Sequence, residues 1–179
     1  QSNYRIGAQV FNRYNQNKVK HLMQYIRTEL YRSASQLYDY NSSMGYPIMV
    51  YEVVLQPTIT YNNDNIVSLY YDQYEFTGGA HGSTIRTSQT WDLRTGRQLE
   101  LSHFYPNNPY YIIDILKNII GQIKKQNESG NNIFFENYCE LVLETFRLEN
   151  YYLTEDGIVI YFQQYDIGPY SSGIIEFSL

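Results

Sequence analysis

Residues 48–77 have the sequence IMVYEVVLQPTITYNNDNIVSLYYDQYEFT, with one apolar and aromatic run on each side of Asn62-Asn63-Asp64. Asparagine and aspartate favour turns, because their side chains bond the nearby backbone and tolerate left-handed conformations. The flanking runs are rich in β-branched and aromatic residues, which are typical of strands. The segment therefore predicts a long antiparallel hairpin with strands over 48–61 and 65–77.

The second strand of this hairpin changes its periodicity near the end. Apolar residues alternate with a period of two over 67–71, whereas the next aromatic residues, Tyr74 and Phe76, follow after a step of three. A change of face along a strand indicates an inserted residue. We therefore expect a bulge or bend near Asp72-Gln73.

The rest of the chain contains segments of helical and of strand periodicity. Apolar spacing predicts helices over about 18–38, 112–123 and 135–146, and strands over 83–93, 151–153, 158–162 and 174–177. Helices that are segregated from runs of hairpin strands define the α+β class. We expect antiparallel sheets of long hairpin strands with about three amphipathic helices packed on them.

The length of 179 residues suits one domain, or two small subdomains that share a core. The turn that contains Gly96 is the predicted boundary. Residues 1–96 would form an N-terminal helix-plus-hairpin subdomain. Residues 97–179 would form a C-terminal subdomain of two helices and further strands.

Composition and charge narrow the classes of partner. The net charge of −5 disfavours nucleic acid and anionic membranes. It favours a cationic partner weakly, because mild acidity more often only keeps a protein soluble. The 21 tyrosines outnumber the 13 lysines and arginines, and tyrosine is frequent in strands, interfaces and sugar-binding surfaces.

We expect no membrane-spanning segment and no intrachain disulfide in this chain. No apolar run of 18 residues is present, so no segment is predicted to span a membrane. The chain begins with Gln1, and we expect any signal or anchor to have been removed. The single cysteine, Cys139, falls on the apolar face of the third predicted helix, so burial is expected rather than a nucleophilic role.

The stretch FTGGAHGST, residues 76–84, connects two predicted strands, and its three glycines and one histidine are residue types found in phosphate-binding and catalytic loops. A phosphate loop requires a helix directly after the glycines, but a strand follows here. A metal site requires three or more ligands, and neither His21 nor His103 has a partner at ligand spacing. Ser83 lies two residues from His81, which does not form a nucleophile–base pattern. We expect no cofactor and no metal.

The glycines of this stretch have a structural interpretation. Gly78, Gly79 and Gly82 are predicted to allow positive φ angles and close backbone approach in a sharp strand connection. Loops of this kind present side chains for recognition. If the connection contacts a partner, His81 and Ser83 are the candidate residues.

A second candidate loop is YDIGPYSSG, residues 165–173. Gly168 and Gly173 are interpreted as structural turn residues. Tyr170 follows Pro169 on a stiff loop, so its ring would lose little entropy on binding and would suit an interface anchor. The alternative is a ring that folds back onto its own sheet, and the sequence leaves both open.

Four segments together resemble a bacterial extracytoplasmic module that consists of two adjacent domains of unknown function. The segments are YEFTGGAHG (74–82), WDLRTGRQLEL (91–101), YLTEDGIVIYF (152–162) and YDIGPYSSG (165–173). Such modules form the extracellular part of lysozyme-sensing anti-sigma factors, and a similar one precedes the catalytic domain of a peptidoglycan deacetylase. Phe76 in place of tyrosine and Ser102-His103-Phe104 in place of an acidic triplet are small departures.

The resemblance implies a non-enzymatic extracytoplasmic sensor domain that binds a lysozyme-like cationic protein. The candidate contacts are His81, Ser83, Pro169 and Tyr170. The alternative from the same resemblance is a peptidoglycan- or glycan-binding accessory module of a cell-wall enzyme. A hydrolase that uses His81 is a third, less favoured hypothesis, because suitable partner residues are missing.

Overall fold

The computed structural model describes residues 2–179, and the side chains of residues 6–179. The helices in this part are α1 (Ser2–Tyr25), α2 (Tyr31–Met44), α3 (Tyr111–Glu128) and α4 (Tyr138–Thr145). The strands are β1 (Glu52–Asn63), β2 (Ile66–Phe76), β3 (Ser83–Asp92), β4 (Arg97–Leu99), β5 (Tyr151–Thr154), β6 (Gly157–Phe162) and β7 (Ile175–Ser178). The predicted α+β class is confirmed.

The strands form two antiparallel sheets. The first has the order β1-β2-β3-β4, and the second has the order β5-β6-β7. The predicted hairpin is confirmed as β1 and β2, and its turn uses positive φ angles at Asp64 (50°) and Asn65 (64°). Positive φ at both central residues matches the right-handed twist of the flanking strands.

The bulge lies in a different strand from the one predicted. β2 pairs with both neighbours without interruption through Asp72 and Gln73, so the expected bulge there is wrong. The register instead shifts in β1, between Ile59 and Tyr61. The prediction was wrong because β2 is covered on both faces. Apolar residues therefore occur on both faces, and the three-residue step from Tyr71 to Tyr74 requires no inserted residue.

The two faces of β2 show this double coverage directly. On one face Leu69 packs in a buried cluster with Trp91, and Phe11 of α1 contacts the Trp91 ring edge-on at 5.9 Å. On the other face Tyr70 lies against Tyr152 of β5, with ring centroids 5.2 Å apart. The first sheet therefore lies between the long helix and the second sheet.

The first helix is longer than predicted. α1 and α2 are joined by a π-helical turn, Ile26–Leu30, so the helical segment runs from residue 2 to residue 44 rather than over 18–38. A π turn shifts the helical phase, which breaks the 3.6-residue pattern that a sequence reading follows. The segment ends at Gly45, whose φ of 70° allows its N–H to bond to the Asn41 carbonyl.

The main core lies between α3, α4 and the second sheet. Its most buried members are Leu101, Ile119, Ile123, Val142, Ile160, Phe162, Ile167 and Phe177. Cys139 is exposed, which corrects the expected burial. The buried face of α4 is formed by Tyr138, Leu141 and Val142. Cys139, one position after Tyr138, lies outside that face.

β4 continues the first sheet from beyond the predicted boundary at Gly96, because it pairs with β3 through Thr90↔Leu99 to Asp92↔Arg97. The division into 1–96 and 97–179 stays a prediction. None of the described helices is long and apolar enough to cross a membrane.

Candidate functional site

The connection between β2 and β3 is the loop 77–82. Gly78 and Gly79 have φ angles of 99° and 98°, which a residue with a side chain rarely adopts. Gly82 is limited by space instead, since a Cβ there would lie 2.5 Å from the Glu75 carbonyl oxygen and 2.6 Å from the Tyr74 ring. The loop is thus fixed by its own backbone and presents His81 and Ser83 as exposed residues.

The second loop, residues 165–173, is fixed to the segment before α4. The Phe135 N–H donates to the Ile167 carbonyl at 3.0 Å, and the Ser172 hydroxyl donates to the Ile133 carbonyl at 2.9 Å. Gly168 is packed so closely that a Cβ would lie 2.4 Å from the same Ile133 oxygen. The remaining predicted turn glycines, Gly96 and Gly173, have φ angles of 68° and 65°.

The two loops meet at a stacked aromatic pair. The ring of His81 lies on the ring of Tyr170 with centroids 3.8 Å apart and an angle of 20° between planes. The Tyr170 hydroxyl donates to the Gly82 carbonyl at 2.9 Å, and His81 Nδ1 lies 3.1 Å from the same oxygen. Tyr170 is therefore half-buried against the other loop, an arrangement that neither sequence alternative described.

The stacked pair forms part of a larger exposed surface. Tyr165 lies 5.8 Å from Tyr170, ring to ring, and is 55% exposed. Ser83 lies two residues after His81, Pro169 directly precedes Tyr170, and both are exposed. The structure thus brings His81 and Tyr170 into contact, with Ser83 and Pro169 close to them in sequence. We call the surface of these five residues the aromatic platform.

Two glutamines hold the loops in this arrangement. β4 pairs only with the last three residues of β3, Thr90 to Asp92. On that side the backbone of the first half of β3 therefore has no strand partner. The Thr84 N–H donates to Gln164 Oε1 at 2.7 Å, the Arg86 N–H donates to Gln163 Oε1 at 3.0 Å, and Gln163 Nε2 returns a bond to the Arg86 carbonyl at 2.7 Å. Side-chain amides thus take the place of a paired strand. Sequence reasoning missed these residues, because a Gln-Gln pair in a loop has no local signature.

A buried arginine joins the two sheets behind the platform. Arg86 is 8% exposed, and its guanidinium donates to both carboxylate oxygens of Asp72 at 2.7 Å and also to Glu176 of β7. It lies 3.7 Å from the centroid of the Tyr70 ring. Burial alone would lower the pKa of Arg86, but the hydrogen bonds and charges of Asp72 and Glu176 raise it. In the sequence, Arg86 is a single arginine within a predicted strand, and this pattern does not predict that it joins two sheets.

Two tyrosines complete this network as neutral donors. The Tyr152 hydroxyl donates to Glu176 at 3.0 Å, and the Tyr161 hydroxyl lies 3.1 Å from the Ser88 hydroxyl. Burial raises the pKa of Tyr161 to about 12, so its proton stays in place at neutral pH. Among the described side chains, every buried nitrogen and oxygen has a hydrogen-bond partner, and no three His, Cys, Asp or Glu are grouped to hold a metal.

A separate cleft of about 410 Å³ lies between the first sheet and the segment before β5. The Tyr151 hydroxyl donates to the Leu99 carbonyl at 2.8 Å, and Ser88 donates to the Glu149 carbonyl at 3.0 Å. The cleft is lined by the apolar residues Leu99, Leu101 and Leu148 and by polar residues that include Gln98, Glu100, Ser102, Tyr111, Glu149 and Tyr151. We call this the polar cleft.

Two family models match the chain in sequence. Residues 4–84 match the model described as "Deacetylase PdaC", and residues 104–179 match the one described as "Protein of unknown function (DUF3298)". Each model matches less than half of the chain, and together they support a two-domain module of unknown function with PdaC-like features, which confirms the predicted resemblance. These families indicate an uncharacterised accessory or sensor module in a cell-envelope context.

Solved structures of the DUF3298 family share this fold. A member of the DUF3298 family from Bacteroides fragilis is 26% identical over 96% of this chain, with a TM-score of 0.58. A DUF3298 family protein from Pseudomonas aeruginosa is 21% identical over 72% of the chain, with a TM-score of 0.53, and this likeness concerns the fold alone. The matches span 65% and 57% of those chains, less than two thirds of each. None of the curated proteins matches the chain.

Proposed function

We propose that this module is a non-enzymatic, extracytoplasmic sensor domain that binds a lysozyme-like cationic protein through the aromatic platform. The observation that carries the proposal is the stacking of His81 on Tyr170 between the two loops. An accessory or sensor module needs a recognition surface, and this one combines two loops from different sheets.

The platform has the physical properties of an interface anchor. The Tyr170 ring is held by its stack on His81 and by its bond to Gly82, so little side-chain entropy is lost when a partner binds. Tyrosine contributes large contact area and is enriched among the residues that dominate binding energy. The net charge of −5 would steer a cationic protein toward the module.

Calorimetric titration with lysozyme at low salt tests the proposal. We expect binding that weakens as salt is added, because steering charges are screened. Tyr170→Ala removes the anchor and should weaken binding by about 2 kcal/mol, roughly thirtyfold. Tyr110→Ala is the matched control, because Tyr110 is 67% exposed on the segment before α3 and lies outside the platform. No heat with the unmodified protein, or an equal loss for both variants, contradicts the proposal.

A glycan-binding accessory module is the second candidate, and the polar cleft is the observation that favours it. Its volume of about 410 Å³ suits a small ligand, and tyrosine, amide, hydroxyl and carboxylate groups line it. The similarity of residues 4–84 to the PdaC deacetylase family is consistent with a cell-wall ligand.

Titration with muropeptides, followed by tyrosine fluorescence, distinguishes this candidate from the sensor. A response that Tyr111→Ala abolishes and Tyr110→Ala preserves would support it, because Tyr111 lines the cleft. A flat response argues against a glycan ligand. Turnover of the same muropeptides that His81→Ala abolishes would instead support the hydrolase hypothesis and contradict the non-enzymatic assignment.

A further inference from the structure

The edge of β3 that faces away from β2 is covered at both ends but not in the middle. At one end, two glutamine side chains bond to the backbone of Thr84 and Arg86. At the other end, β4 pairs with Thr90 to Asp92. Ser88 lies between these two covered segments, so its main chain is the part of the edge that neither of them reaches.

The direction of the Ser88 backbone groups follows from the alternation of the strand. The N–H groups of Thr84 and Arg86 point away from β2, because they bond to glutamine side chains on the other side. The pairing of β2 with β3 is continuous through Tyr70↔Ser88, and backbone groups alternate in direction along an antiparallel pair. The N–H and C=O of Ser88 therefore also point away from β2. Within the part of the chain that the structure describes, neither group bonds to a side chain or to backbone outside the strands.

This open point of the edge lies at the polar cleft, which Ser88 lines. Gln89 lines the cleft too, although its side chain is bonded to Asn15 on the α1 side of the sheet, so the backbone of β3 forms this wall. Leu101 would lie opposite Ser88 if β4 continued in the same register. Its side chain is instead buried in the main core, 1% exposed, and the chain turns away from the sheet. The cleft is the space that this turn leaves beside an unpaired donor and an unpaired acceptor.

The charges around the cleft select the kind of ligand that fits it. Among the described residues that line the cleft, the ionised ones are Glu100 and Glu149, and neither lysine nor arginine lies with them. The negative charge of Glu100 acts inside the cleft, because together with burial it raises the pKa of Tyr151 to about 12. An anionic ligand is therefore disfavoured there, and a ligand with an ammonium group is favoured.

We propose that the polar cleft binds the free amino end of a short extended peptide. The first peptide residue would pair with Ser88 as a further residue of β4 would. Its ammonium group would donate to the Ser88 carbonyl, and its own carbonyl would accept the Ser88 N–H, as in the addition of a strand to an open sheet edge. A peptide that runs in the direction of β4 has its amino end toward Glu100, which follows β4 directly.

The length of the gap explains why a chain end is expected rather than an internal segment. Beyond Ser88 the edge is already bonded to Gln163 at Arg86, and before it the edge is paired with β4. Only one peptide residue can therefore pair, and a volume of about 410 Å³ suits a ligand of that size. The aromatic platform does not line this cleft, so the inference is independent of the proposed sensor function. It assigns the cleft a different occupant from the glycan of the second candidate.

Titration of the isotope-labelled chain with tri-alanine amide, followed by nuclear magnetic resonance, tests the inference. We expect the Ser88 amide signal to shift in a saturable way, because its N–H gains an acceptor. N-acetylated tri-alanine amide lacks the ammonium group and should bind at least about tenfold more weakly, since a charged hydrogen-bond donor is lost. Di-N-acetylchitobiose serves as the glycan ligand for comparison.

Glu100→Gln combined with Glu149→Gln should weaken the binding of tri-alanine amide at least about tenfold, because both carboxylates at the ammonium group are lost. Both residues are exposed, so the fold should be kept. Glu155→Gln is the matched control, since Glu155 is exposed in the turn between β5 and β6 and does not line the cleft.

Four results would overturn the inference. They are a Ser88 signal that tri-alanine amide does not shift, equal binding of the acetylated peptide, an equal loss with Glu155→Gln, and a shift that the disaccharide alone produces. The last result would leave the cleft to a glycan. Tyr170→Ala should bind tri-alanine amide as the unmodified protein does, which separates this test from the test with lysozyme.

Discussion

Gly82 shows how a single residue fixes the geometry of the aromatic platform. Its carbonyl accepts the Tyr170 hydroxyl, and its α-carbon lies against the Tyr74 ring and the Glu75 backbone. Any side chain at this position would push the two strands apart or displace the Tyr74 ring. Gly82 is thus required because the neighbouring atoms leave no room for a side chain. Gly78 and Gly79 are required because their φ angles are positive.

Gly82→Ala should therefore lower the free energy of unfolding by about 1–3 kcal/mol, the usual cost of forcing an extra methyl group into a packed site. Gly121→Ala is the control, because a Cβ at Gly121 in α3 would meet no atom within 4 Å. That change should raise the free energy of unfolding by about 0.5–1 kcal/mol through helix propensity. Urea denaturation of both variants checks the pair, and equal effects would show that the loop is not tightly packed.

At the scale of elements, local patterns determined what could be predicted. The hairpin β1–β2 was predictable because its strand residues and its Asn-Asp turn lie next to each other in the chain. The helical segment 2–44 was underestimated, because a π-helical turn and a polar first half hide its periodicity. The bulge was misplaced because coverage of β2 from both sides depends on α1 and β5, which lie far away in sequence.

The end of the long helix gives a prediction at the same scale. Gly45 has a φ of 70°, and a Cβ there would meet no atom within 4 Å, so only backbone strain opposes a side chain. Gly45→Ala should lower the free energy of unfolding by about 1 kcal/mol. Gly45→Asn should cost less, because asparagine tolerates the left-handed region. Thermal unfolding of both variants checks this order, and an equal loss would indicate that something other than φ limits the site.

At the scale of the whole molecule, the candidate site depends on how the two sheets are joined. The sequence identified His81 and Tyr170 as separate loop residues, but it could not show that their rings stack, because they are 89 positions apart. The same applies to Gln163 and Gln164, which bond to β3 across a similar separation. Contacts of this kind follow from the packing of one sheet on the other, and no local pattern encodes them.

Arg86 is the strongest polar link between the sheets, because it joins Asp72 of the first sheet to Glu176 of the second. Ser68 adds a buried link, since its hydroxyl accepts the Leu153 N–H at 2.9 Å. With such links the two halves should unfold together. Trp91, the only tryptophan, reports on the first sheet, and far-ultraviolet circular dichroism reports on the whole chain. We expect the two signals to give the same unfolding curve.

Arg86→Met should lower the free energy of unfolding by about 3 kcal/mol, because it leaves the Asp72 carboxylate without its buried partner. The loss of the second partner adds less, because Glu176 is half-exposed and water can solvate its carboxylate. Arg32→Met is the matched control, since Arg32 pairs with Glu29 on the exposed surface of the long helix, and its loss should cost less than about 1 kcal/mol. Denaturant unfolding followed by both signals measures these values. Equal costs for the two variants, or separate transitions in the unmodified protein, would mean that the two halves are stable independently and that Arg86 does not couple them.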